Sequence, residues 1–239
     1  LMSTGYNDAP DETGVDALDD DKLYELCKLA HENNIRVLIH AIGDKAIQSV
    51  IDVYEKLIDD KDNILRHGIV HNQITTKAQL EKIAELGLTV MYQPIFLLSD
   101  IAIINDRVGD ELEKTSYAFN SLYQMGAPVS LSTDAPVEDC NPFENIYVAV
   151  NRMRFDFTPK GGYFKEECMS VSDAIDAYTI KSAYLEGKED FKGRLKPGFV
   201  ADMVILDRDI FTIDKTEIKD IKVVETIVGG NTVYNDKID

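Results

Sequence analysis

Basic residues are scarce in this chain. Twenty-five Lys and Arg stand against 43 Asp and Glu, a net charge of −18 over 239 residues. Such a surface repels phosphate backbones and anionic lipid, so neither nucleic acid nor membrane is expected as a partner. The surplus carboxylates read as a solvated exterior. Cysteine is sparse as well: Cys27, Cys140 and Cys168 lie far apart and form no C-x-x-C pair. That excludes a disulfide framework or zinc knuckle and leaves reduced, mostly buried thiols of a cytoplasmic protein. No apolar run approaches the length of a membrane span, and no basic-then-apolar leader opens the sequence. Glycine-rich phosphate loops are missing after every candidate strand, and there is no G-x-S-x-G elbow, so nucleotide cofactors and a serine nucleophile have no support. Neither His nor Cys carries a triad-like local signature, which leaves thiol catalysis weak.

What is present is ordinary globular composition, 44% hydrophobic and 28% charged, in a chain long enough to bury a core. Apolar stripes at helical spacing alternate with short β-branched runs. Helices are expected over 19–33, 45–59, 76–86, 116–125, 141–152 and 170–186, and strands over 35–40, 64–71, 88–93 and 128–133. The segment 95–115 reads as a loop with a helical turn. Alternation with short links implies a parallel sheet with helices outside. The tail differs: 193–207 reads as a turn into a buried strand, and VVETIVGGNTVY as a hairpin about Gly229-Gly230. The chain opens on Leu1-Met2 and a polar loop, and is expected to be cut from within a longer protein.

Three apolar runs end on residues that can hold a metal: VLIH on His40, GIVH on His71 and SLSTD on Asp134. Parallel strands would deliver all three to one end of the sheet, which is where a (β/α) barrel builds its active site. Taken singly, each has a plainer reading. His40 can be a ligand, a base or a hydrogen-bonded core residue, and Asp134 can cap a turn. Together they match the N/O ligand set of a hydrolytic zinc or similar divalent site. His67 shares a strand face with His71 but lies away from the mouth, so it reads as structural. His31 reads as a cation favourable at a helix C-terminus. Asp44 reads as a cap of the helix after His40.

H-A-I-G-D-K-A, R-H-G-I-V-H-N-Q, M-Y-Q-P and S-T-D-A-P-V, followed by N-P-F and I-Y-V-A-V-N-R, resemble the amidohydrolase superfamily in its amidohydrolase 3 branch, which includes N-substituted formamide deformylases. Y-T-I-K-S-A-Y, G-R-L-K-P-G-F-V-A-D-M-V-I-L-D and T-I-V-G-G-N-T-V-Y extend the resemblance to the tail. The resemblance implies an α/β fold: residues 1–189 as the C-terminal half of a (β/α)8 barrel, and 190–239 as part of a small composite β-sandwich. It implies His40, His71 and Asp134 as metal ligands, and Asp134 also as general base. Gln93 of M-Y-Q-P and Arg152 of V-N-R become the substrate-binding candidates. The activity implied is hydrolysis of amide, formamide or cyclic-imide C–N bonds, with a divalent metal, zinc for choice, as one or two ions in the full-length protein.

The family's first-strand His-x-His pair has no counterpart here, so weak or no metal is expected in the fragment alone. Open sheet edges should make it a homo-oligomer or bind it to a partner, with a small molecule as the substrate. The competing expectations are a catalytically inactive, metal-free α/β fragment and a small-molecule-binding domain.

Overall fold

The computed structural model describes residues 1–58 and 62–236. Its chain divides into two compact units, Leu1–Val129 and Ser130–Asp239. The boundary expected near residue 189 falls inside the second.

The first unit alternates strand and helix. Helix α1 (Asp20–Glu32) starts where the Asp19 side chain accepts the Lys22 N–H at 2.9 Å, with Asp20 and Asp21 in its first turn. Strand β1 (Leu38–Ala41) leads to α2 (Asp44–Leu57), which buries Ile47, Val50, Ile51, Val53, Tyr54 and Leu57 on one face. Asp59, expected at the end of α2, lies outside the described residues. Strand β2 (Gly68–His71) leads to α3 (Lys77–Glu85), opened by a capping box between Thr76 and Gln79. Strand β3 (Thr89–Tyr92) follows.

Strands β1, β2 and β3 are each shorter than the apolar runs that announce them. Both pairings β1–β2 and β2–β3 are parallel, with Leu38 opposite Gly68, Ala41 opposite His71 and Gly68 opposite Thr89. The sheet order is β1-β2-β3-β4, the last strand being Val129–Leu131. A side chain at Gly68 has no room: a Cβ there would stand 2.0 Å from Thr89 Oγ1 and 2.2 Å from the Thr89 carbonyl oxygen.

Segment 95–115 is more helical than expected. A 3-10 turn (Pro94–Phe96) runs into α4 (Leu97–Asp100) and α5 (Ile104–Glu113), the latter broken by Gly109 at φ 73°. Helix α6 (Phe119–Gln124) closes this stretch.

In the second unit, α7 (Pro142–Asn151) is capped by Asn141 and buries most of its length. Asn151 Nδ2 donates to the Lys215 carbonyl at 3.0 Å, tying α7 to the 3-10 helix Lys215–Asp220. The helix expected over 170–186 is two helices, α8 (Val171–Tyr178) and α9 (Ile180–Glu186). Thr179 between them sits at φ −115°, ψ −78° with Oγ1 donating to the Ile175 carbonyl at 2.8 Å, and such back-bonding by a β-branched hydroxyl bends a helix.

Strands β5 (Met203–Leu206), β6 (Val223–Val228) and β7 (Asn231–Asn235) form an antiparallel sheet. Gly229 (φ 57°) and Gly230 (φ 82°) turn the β6–β7 hairpin with the two positive angles a tight turn of this hand needs. Among the described residues no helix is long and apolar enough to cross a membrane.

Candidate active site at the strand mouths

Adjacent parallel strands place His40 and His71 together. Ala41 is the register partner of His71, and His40 precedes it by one residue. The two imidazoles meet edge to face with centroids 4.4 Å apart. His71 is buried, 5% exposed, and its other flank stacks on Phe96 at 5.9 Å; His40 is exposed.

The backbone here is strained. His71 stands at φ 77° and Asn72 at φ 51°. Non-glycine residues held in the left-handed region cost on the order of 1–3 kcal/mol each and cluster at functional sites. Asn72 is fully buried, with Nδ2 donating to the Tyr92 hydroxyl at 2.8 Å, and its Oδ1 has no hydrogen-bond partner among the described residues.

A cleft of about 1100 Å³ runs along β1 and includes His40, Gln73, Asp100 and Arg107 in its lining. Gln73 Nε2 donates to the Tyr117 hydroxyl, and Tyr117 donates to Asp100 Oδ2 at 2.5 Å. Sequence reasoning missed this chain of polar groups. Gln73 was visible in H-N-Q, but nothing local marks Tyr117 or Asp100 as its partners.

Asp134 lies in the second unit at φ 59°, with its carbonyl accepting the Val137 N–H at 2.8 Å. The approach to it is fixed from α7: Asn145, fully buried, donates through Nδ2 to the Ser132 carbonyl at 2.8 Å and to the Tyr178 hydroxyl at 2.5 Å. Burial pushes the Tyr178 pKa up to about 12, partly offset by Asn145. Among the described residues no group of three or more His, Cys, Asp and Glu side chains stands together as a metal-holding cluster. Within the first unit the structure brings His40 and His71, two of the residues expected as ligands, together.

The substrate-contact candidates fare differently. Gln93, next to β3, is 3% exposed and donates through Nε2 to the Met91 carbonyl at 3.0 Å. Arg152 is fully buried and left-handed at φ 49°. Its Nε donates to the Tyr163 carbonyl at 2.6 Å, and the Tyr163 N–H returns a bond to the Arg152 carbonyl at 2.9 Å. Burial presses the guanidinium pKa downward and Glu167, itself buried, opposes that. This arrangement anchors the segment 153–168.

Two other expectations are corrected. Gly43, not Asp44, caps α2; buried Asp44 accepts from the Ser3 N–H at 2.8 Å and from the Ser3 hydroxyl. Cys140 is exposed, unlike Cys27. His31 belongs to a network at the opposite end of β2. The Val37 N–H donates to His67 Nδ1 at 3.0 Å, so the proton of the His67 ring sits on Nε2 and is donated to His31 Nδ1, 3.0 Å away. His31 stands in the last turn of α1, as expected, and its Nδ1 accepts from this network. Tyr54 stacks on His67 at 5.1 Å.

The chain matches the Amidohydrolase family model over residues 1–234. It is 32% identical over 234 residues to the putative amidohydrolase YtcJ of Bacillus subtilis (strain 168), covering 98% of this chain and 44% of that protein. It is 27% identical to the N-substituted formamide deformylase of Arthrobacter pascens, covering 89% and 39%. Among solved structures it is similar to an uncharacterized metal-dependent hydrolase from Pyrococcus horikoshii OT3, with a TM-score of 0.77, 32% identity, and coverage of 90% of this chain and 42% of that one. The chain thus spans less than half the length of these relatives. Matched along nearly its whole sequence and in its backbone, it belongs to the amidohydrolase family.

Proposed function

We propose that this chain is the C-terminal portion of a metal-dependent hydrolase that cleaves amide, formamide or cyclic-imide C–N bonds. The observation that carries the reading is the edge-to-face pair of His40 and His71 at the ends of neighbouring parallel strands, with His71 in a strained backbone. Two imidazoles, one exposed beside a cleft, fit the nitrogen half of a divalent site, and zinc accepts both imidazole and carboxylate.

In this reading His40 and His71 hold the ion and Asp134 adds the carboxylate. A divalent ion bound there would polarise the substrate carbonyl and acidify water. Asp134 takes up the proton released on attack and returns it to the leaving nitrogen. Phe96 keeps the His71 ring in place. The rest of the barrel, with a first-strand His-x-His, would lie on sequence beyond this chain; the shares of 44% and 39% of the relatives' lengths support that.

The test is metal analysis with hydrolysis of a panel of amides, formamides and cyclic imides by the full polypeptide. Asp134→Asn should keep its metal and lose on the order of 10²–10⁴-fold in turnover, whereas His40→Ala and His71→Ala should lose metal and rate together. Near-normal turnover in Asp134→Asn would remove its proton-transfer role.

A second reading, a metal-free binding domain, is favoured by the cleft beside β1. It requires that His40→Ala and His71→Ala leave metal content unchanged.

A further inference from the structure

The cleft that takes in His40 presents one carboxylate that is held in place and has no Lys or Arg partner among the described residues. Asp100 ends α4, and its Oδ2 accepts the Tyr117 O–H at 2.5 Å. Ser99 Oγ lies 3.2 Å from Oδ1. Tyr117 cannot swing away. It is fully buried, its hydroxyl accepts from Gln73 Nε2, its N–H donates to the Gln73 carbonyl at 2.8 Å, and its backbone is left-handed at φ 52°. One buried phenol thus links Asp100 to Gln73, two residues after His71.

The cation on the same cleft, Arg107, is engaged elsewhere: its Nε is 3.4 Å from Asp8 Oδ2, and its guanidinium lies over the Tyr6 ring at 5.5 Å. A carboxylate offers about four lone-pair sites; here Oδ2 receives the Tyr117 hydroxyl, while the single Ser99 hydroxyl proton lies between the Phe96 carbonyl at 2.9 Å and Oδ1 at 3.2 Å. Capacity and negative charge are both left for a ligand. Asp100 is half-buried, where a charge-assisted bond is less screened than on an open surface.

We propose that Asp100 is a substrate-anchoring residue that takes an ammonium group on the amine side of the substrate, with Tyr117 and Gln73 as its positioning residues. The proposal rests on the hydrolase reading above for what lies at the other end of that substrate. It narrows the substrates to amides or formamides of diamines and related amino-bearing compounds.

The test uses matched probes on the full polypeptide by calorimetry: N-(5-aminopentyl)formamide, N-pentylformamide and pentylamine. The aminopentyl probe should bind about ten-fold tighter than N-pentylformamide, the gain of one charge-assisted hydrogen bond. Asp100→Asn should erase that gap while leaving the N-pentylformamide Kd within about two-fold. Tyr117→Phe, which keeps the charge but loses its orientation, should shrink the gap to about three-fold. Pentylamine should displace the aminopentyl probe from the wild type and not from Asp100→Asn.

Equal affinity for the two formamides in the wild type, failure of both to bind, or a gap that survives Asp100→Asn would each overturn the proposal. An Asp100-dependent amine site in a protein that hydrolyses no amide, formamide or cyclic imide would uphold the anchor and sink the hydrolase reading instead, so the two failures are separable.

Discussion

His67 and His71 share one short strand and differ in everything that decides a histidine's chemistry. His71 meets another imidazole at the mouth. His67, 1% exposed, is locked as a neutral ring between the Val37 N–H and His31. Burial first, and then the nearby His31 and Arg36, lower the His67 pKa to about 4. The other titratable group facing it is Tyr54, whose pKa is raised, mainly by burial.

A group whose folded pKa lies below its unfolded value near 6.5 resists protonation only in the native state. Stability should therefore be intact above about pH 6.5, fall by up to about 3 kcal/mol towards pH 4, and level off below. Urea unfolding at several pH values would show the slope, and His67→Asn should flatten it. An unchanged slope in that variant would assign the acid sensitivity to other groups. The sequence made His67 structural by its distance from the strand mouth, and that placement holds. It could not show that His31, 36 residues earlier, is the acceptor, because nothing local to a helix end reveals which loop will pack on it.

At the scale of elements, the segment from Arg152 to Cys168 is organised around one buried guanidinium. Tyr147 adds a bond from its hydroxyl to the Arg154 carbonyl at 2.9 Å. Arg152→Met would remove both the Nε bond to Tyr163 and the charge that offsets buried Glu167. It should destabilise the protein by about 3–5 kcal/mol and open 153–168 to limited proteolysis; a variant as stable and as resistant as the wild type would refute the anchoring role.

Periodicity found the long amphipathic helices α1, α2, α3 and α7, because a buried stripe dictates them. It misjudged the places where a single side chain overrides the pattern. Thr179 splits one expected helix into two by bonding back to its own preceding turn. Segment 95–115 hid its helices because Gly109 and a three-residue 3-10 turn interrupt the stripe. For the site, the strand-end rule located His40 and His71 together. The rule said nothing of Gln73, Tyr117 and Asp100, whose association depends on a fold across 44 residues of sequence.

For the molecule as a whole, the exposed surfaces bear on assembly. The residues Val204, Ile205, Val228, Val233 and Tyr234 of the β5–β6–β7 sheet are each about half exposed or more. At the other sheet, β1 is an edge strand with Leu38 41% exposed. Unpaired edges and apolar sheet faces associate readily. Light scattering of the isolated chain should give a multiple of the monomer mass, while a compact monomer at every concentration would count against assembly through these surfaces.

The close approach of β2 to β3 at Gly68 carries a different kind of consequence, one for descent rather than for mechanics. A methyl group there would overlap a backbone carbonyl, and backbone cannot step aside as a flexible side chain can. Lineages that keep this strand pairing are closed to drift at that position while free to wander at exposed Ile64 four residues before it. A lone glycine set into an apolar run can then serve as a landmark for recognising the strand in sequences too diverged to align.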